Sequence, residues 1–199
     1  MAPVNRPIDE QRAAFERYVL TNPMVREILP RAKTLNLGQW YLGAGCLFQT
    51  VWNVLSGNEP TRHIRDYDLM YFDDRDLSWE AEDAVIQQCA EVFADLAAEV
   101  EVRNEARVHL WYEGRFGVPC PLYTSTEAAI NSFAATTCCV GIRLDATDRL
   151  IVYAPHGFND LFGFVLRPNP VVAPAHVYAA KAARWKEQWP ALTIMPWPV

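Results

Sequence analysis

The chain is predicted to be α/β (α+β), and three stretches carry that prediction. Val85, Ile86, Cys89, Val92, Phe93 and Leu96 recur at helical spacing. Glu99-Val100-Glu101-Val102-Arg103-Asn104 alternates polar with apolar, the period of a half-buried strand. Asp66-Tyr67-Asp68-Leu69-Met70-Tyr71-Phe72 is an aromatic and aliphatic run that reads as a buried strand carrying two aspartates.

In chain order, Ile8 to Leu35 reads as two helices. Asp9 is placed to cap the first, with Ala13, Phe15, Tyr18 and Val19 on its apolar face. Asn22-Pro23 breaks it, because the residue before proline avoids the helical region. Met24, Val25, Ile28 and Leu29 then form a second stripe, expected to end at Pro30. A short apolar run, Trp40-Tyr41-Leu42, meets the small-residue turn Gly43-Ala44-Gly45-Cys46. Leu47, Phe48, Val51, Trp52 and Leu55 follow at helical spacing, and Gly57, Asn58 and Pro60 stop that helix.

After the Asp66 strand, Ser78 is a good N-cap, and Trp79 to Ala97 is expected as one amphipathic helix. The alternating strand comes next, and Val108 to Tyr112 suggests another. Thr124-Ser125-Thr126-Glu127 has capping-box spacing before a helix over Ala128 to Phe133. Cys138 to Leu144 and Leu150 to Tyr153 flank Asp145-Ala146-Thr147-Asp148 as a hairpin. Asn159 to Leu166 suggests a short helical segment, Ala173 to Gln188 a helix, and the proline-broken tail an extended segment. There is no internal repeat, so 1–199 is read as a single domain. Residues 1–36 form an N-terminal helical arm, and 171–199 form a C-terminal helix and tail packed on the domain.

Composition excludes several classes. Apolar residues make up 51% of 199, which predicts a packed core. A net charge of −6 argues against broad tracking of DNA or RNA phosphates. No apolar run reaches the roughly 20 residues of a membrane helix, and the N-terminus MAPVNRPIDEQ lacks a signal-peptide layout. A cytoplasmic protein is the expectation. Five cysteines without C-x-x-C or C-x-x-H spacing suggest free thiols rather than disulfides or structural zinc.

The chemistry concentrates between Gln39 and Asp73. Asp66 and Asp68 share a strand face, about 7 Å apart. Two adjacent carboxylates repel each other and are costly to bury unpaired, and a divalent cation removes that cost. The pair reads as a Mg²⁺ or Mn²⁺ site beside a phosphate-binding turn, with Glu101 as a third carboxylate. Glu99 shares its face, but valines flank Glu101. Arg103, Asn104 and Arg107 would bind phosphate or sugar, or salt-bridge to the acidic pair. Lys181 and Arg184 lie one turn apart, within reach of a triphosphate or facing solvent. His109 reads as a core histidine; His63 and His156 fall in loops. Trp111, Trp185, Trp189 and Trp197 read as core residues. The Asp160-Leu161-Phe162 segment has no role visible beyond starting a helix.

Strand, small-residue turn, helix, then a strand with Asp-x-Asp resembles the nucleotidyltransferase fold of DNA polymerase β, poly(A) polymerases and antibiotic adenylyltransferases. The matching positions are Gly45-Cys46, Asp66 and Asp68, and Glu101. More closely, residues from about 38 to 197 resemble a family of bacterial nucleotidyltransferase-like proteins of uncharacterised function. The segments GAGCLFQTVWN, DYDLMYFD, DLSWEAED, VEVRNEARVHLWYE, VYAPHGFNDLF and KAARW carry that likeness. The resemblance implies a transferase moving a nucleoside monophosphate from a nucleoside triphosphate, ATP by superfamily, to an unidentified acceptor hydroxyl. Asp66, Asp68 and Glu101 would be catalytic and metal-holding. Gly43, Ala44, Gly45, Cys46, Arg103 and Lys181 would bind nucleotide, with backbone N–H groups at a helix start facing phosphate. Two features depart from the superfamily: Cys46 stands where Gly or Ser is usual, and residues 47–65 make a long connection. They keep open a non-catalytic nucleotide or metal sensor, or a metal-dependent phosphohydrolase.

Overall fold

The computed structural model describes residues 2–198. The first helix, α1 (Ile8–Val19), starts after Pro7 rather than on a capping side chain, and Asp9 lies in its first turn. There it faces the positive end of the helix dipole instead of capping it. In α2 (Pro23–Thr34), Asn22 is the cap, its side-chain oxygen accepting from the Met24 and Val25 N–H groups. Pro30 does not end α2. It sits inside the helix, between Ile28, Leu29 and Ala32, which are all buried. Burial of that stripe outweighs the N–H that proline lacks.

Next come β1 (Tyr41–Gly43), α3 (Gly45–Leu55) and β2 (Asp66–Tyr71). Ser78 caps α4 (Trp79–Val92) through the Ala81 N–H. This helix stops five residues short of the expected Ala97. The alternating stretch is β3 (Glu99–Asn104). The expected strand over Val108–Tyr112 does not form. Asn104 accepts from the Ala106 N–H and starts a 3₁₀ helix over Glu105–Leu110, which runs into α5 (Tyr112–Phe116). Ser125 caps the short α6 (Thr126–Ile130). The hairpin is β4 (Gly141–Leu144) and β5 (Leu150–Tyr153). Then α7 (Asn159–Phe162), β6 (Val165–Leu166), α8 (Ala175–Gln188) and β7 (Thr193–Ile194) complete the order.

The five-stranded sheet runs β3-β2-β1-β4-β5. Only β2 and β3 are parallel within it, so the sheet is mixed. A parallel β6–β7 pair anchors the tail. Strand alternation divides the sheet into two faces. Leu42, Leu69, Val102 and Ile142 point into the main core with Phe48 and Trp52 of α3, Phe15 of α1, and Trp185 and Trp189. Trp189 donates to the Asn53 side chain and Trp52 to the Leu161 carbonyl, which satisfies both buried indoles. Tyr41 and Met70 face the other way, in a smaller cluster with Ile130 and Cys139. Asp66 and Asp68 share the parity of Met70 and lie on this second, less covered face. No helix among the described residues is long and apolar enough to cross a membrane.

Candidate active site

A cleft of about 450 Å³ opens on the second face of the sheet. Asp66 and Asp68 line its floor from β2, and Glu101 and Arg103 from β3. Lys181 and Arg184 reach in from α8. The parallel register sets Asp66 beside Glu99 and Asp68 beside Glu101. Glu101 belongs to the cleft wall, whereas Glu99 is exposed outside it.

Burial holds the Asp68 carboxyl up at about 7, helped by the negative charges of Asp66 and Glu101 and opposed by Lys181 and Arg103. Among the described residues, neither Asp66 nor Asp68 is in an ion pair. The carboxylates therefore concentrate negative charge that the protein only partly offsets. Glu101 is 3.9 Å from the Arg103 guanidinium. Among the described residues, no three His, Cys, Asp or Glu side chains gather closely enough to enclose a metal on their own. Asp66 and Asp68 still suit a hard divalent cation, which is commonly held by one or two carboxylates with phosphate and water completing its shell. The donor set fits in that partial sense.

The turn before α3 is more specialised than the sequence suggests. Gly43 lies in β1, where a Cβ would come within 2.3 Å of Met70 Cε and 3.0 Å of the Val140 carbonyl. It permits close strand packing and does not line the cleft. Ala44 does line it, at φ 53° and ψ −122°, but its N–H donates to the Val140 carbonyl at 3.0 Å. The Cys46 thiol is buried and donates to the Gly43 carbonyl, and burial raises its pKa well above the ordinary thiol value. The Ala44 N–H expected to face phosphate is thus already engaged, and the Cys46 thiol, which stands where Gly or Ser is usual, is turned to the Gly43 carbonyl. The N–H groups of Gly45 and Cys46, in the first helical turn, have no intrahelical acceptor.

Arg107 and Asn104 are corrected to structural roles. Arg107 pairs with Glu82 of α4, and both are buried; its Nε also donates to the Leu77 carbonyl. Asn104 bridges the Asp73 backbone to the start of the 3₁₀ helix. His109 is on that 3₁₀ helix, not a strand, and its Nδ1 is buried without a partner. Trp185 and Trp189 are core, but Trp111 is 36% exposed and lines the cleft. His63 packs its ring edge-on to Trp189, outside the cleft. Asp160 pairs with Arg167.

Cleft residues that escaped sequence reasoning include Glu105, Tyr112, Arg115, Phe116 and Tyr123. Glu105 was visible only as a carboxylate directly after an alternating strand, and the others lie where a strand was expected or in the loop beyond it.

A family model described as nucleotidyltransferase matches residues 30–194. No protein of curated function matches. One solved structure, described as an NMR structure revealing a CCA-adding enzyme head domain, is similar at a TM-score of 0.71 and 25% identity. The match covers 93% of this chain and 94% of that one.

Proposed function

The chain belongs to the nucleotidyltransferase family, and from that premise we propose that it moves a nucleoside monophosphate from a nucleoside triphosphate, ATP by superfamily, to an acceptor hydroxyl. The observation that carries this reading is the unpaired Asp66–Asp68 couple on the floor of the cleft, with Asp68 held up at about 7. Asp66 and Asp68 would hold Mg²⁺ or Mn²⁺, which supplies charge neutralisation on the transferring phosphoryl group. Lys181, Arg184 and Arg103 would offset the remaining phosphate charge. The N–H of Gly45, which lines the cleft, would take a phosphate oxygen at the start of α3. Glu101 would accept the proton of the attacking hydroxyl. A bond forms between that oxygen and the α-phosphorus, the bond to pyrophosphate breaks, and pyrophosphate leaves.

The test is transfer of label from α-labelled triphosphates to pooled metabolites and proteins, with and without a chelator. Chelator-sensitive labelling of a discrete acceptor supports the reading. Released phosphate with no labelled product would favour a phosphohydrolase. The engaged Ala44 N–H and Cys46 thiol favour one second reading, a sensor that binds nucleotide without turning it over. Binding without released pyrophosphate would identify it.

A further inference from the structure

A fourth carboxyl, Glu105, lines the cleft within electrostatic reach of Asp68. Glu105 is only 7% exposed, yet its side chain lines the cleft. Among the described residues, nothing hydrogen-bonds to its carboxyl and no cation pairs with it. Its oxygens are not among the fully enclosed polar atoms, so they keep access to the cleft, where a donating ligand would take the place of water. Its neighbours are already engaged: the Tyr123 hydroxyl is 2.5 Å from Ser132 Oγ. The same cleft is lined by the rings of Trp111, Tyr112 and Phe116, with centroids 4.6 to 6.4 Å apart and planes tilted by 40 to 53°. The Arg115 guanidinium lies over the Trp111 and Phe116 rings, 6.0 and 5.5 Å from their centroids. Aromatic rings and arginine planes are what a nucleobase stacks on.

We propose that Glu105, with the rings of Trp111, Tyr112 and Phe116, forms the subsite for the nucleotide's base and selects bases carrying an exocyclic amino group. This inference rests on the nucleotidyl-transfer reading of Asp66 and Asp68. Three residues lie between Glu101 and Glu105, a chain span of at most about 13 Å, so Glu105 and the site carboxylates lie within the span of one nucleotide. Adenine, cytosine and guanine each present an amino donor, whereas the one donor of uracil, N3–H, sits between two carbonyl oxygens that repel a carboxylate placed against it. Arg103 and Arg115 line the same cleft. Their charge opposes a cationic amine from an acceptor but not a neutral amino group. Burial and the charge of Asp68 raise the Glu105 carboxyl to about 8, so the carboxylate that only accepts is the form present above that pH.

Calorimetry on the full chain with Mg²⁺ at about pH 9, where the Glu105 carboxyl is ionised, tests this, using ATP, CTP, GTP, UTP and inorganic tripolyphosphate as ligands. The wild type should bind its preferred amino-bearing triphosphate about tenfold or more tighter than UTP. Glu105→Leu should bring that ratio close to one while leaving tripolyphosphate affinity unchanged, which also shows that the variant is folded. Trp111→Leu should weaken all four nucleotides by a similar factor and leave the ratio intact. A ratio that Glu105→Leu does not move overturns the base subsite and leaves the transferase reading standing. Absence of binding by every nucleotide and by tripolyphosphate to the wild type overturns both.

Discussion

Ala44 carries a Cβ at a backbone conformation that suits glycine, at the turn that starts α3. Such residues hold about 1–3 kcal/mol of strain and collect at functional sites. Ala44→Gly should release that strain against about 0.5–1 kcal/mol of added chain entropy. The expected net gain is about 1 kcal/mol, measured by denaturant unfolding; a loss of stability would show that the Cβ is packed rather than strained. Glu105 gives a pH signature. Its carboxyl rises from the ordinary 4.5 to about 8 in the fold. A raised acid favours folding while protonated, so its contribution is fully present below about 4.5 and is lost as pH rises through about 8. Glu105→Gln should therefore add little stability near pH 5 and most near pH 9, read as a difference in Tm from wild type. A pH-independent difference would contradict this assignment.

At the scale of elements, the sheet strands that bear the site were legible in the sequence. Residues 99–104 alternate cleanly, and the strand holding Asp66 and Asp68 is bounded by polar turns. The segment after β3 was not legible, because a short apolar run such as Val108–Tyr112 has the same composition in a strand or a helix. The Asn104 side chain decides between them by capping Ala106, and nothing local announces that bond. Pro30 misled for the opposite reason: a strong local signal lost to burial of its neighbours. The Glu82–Arg107 pair, invisible in sequence because 24 residues intervene, ties α4 to the 3₁₀ helix that carries Glu105. Arg107→Met should leave Glu82 charged and buried and cost about 3–5 kcal/mol, measured by urea unfolding. The double variant Glu82→Leu/Arg107→Met should recover most of that loss, and a double variant as unstable as the single one would argue against the pairing.

Across the whole molecule, one sheet face is given to packing and the other to the cleft. The main core unites α1, α3, α7 and α8 with one side of the strands. The opposite side exposes three carboxylates to the cleft while α8 brings lysine and arginine over them. Periodicity identified that face of β2 and β3. It could not show that α8, 80 residues beyond Glu101 at Lys181, folds back over it, nor which parts of the small-residue turn remain free. The Asp66–Asp68 couple is the proposed driver of nucleotidyl transfer. The most direct test is pyrophosphate release from nucleoside triphosphate with Mg²⁺ and a responsive acceptor pool, comparing wild type with Asp68→Asn. The rate should fall by about 10²–10³-fold or more, with Tm equal to or above the wild-type value because a buried charge has been removed. Release that persists at the wild-type rate in a folded Asp68→Asn protein would contradict the account.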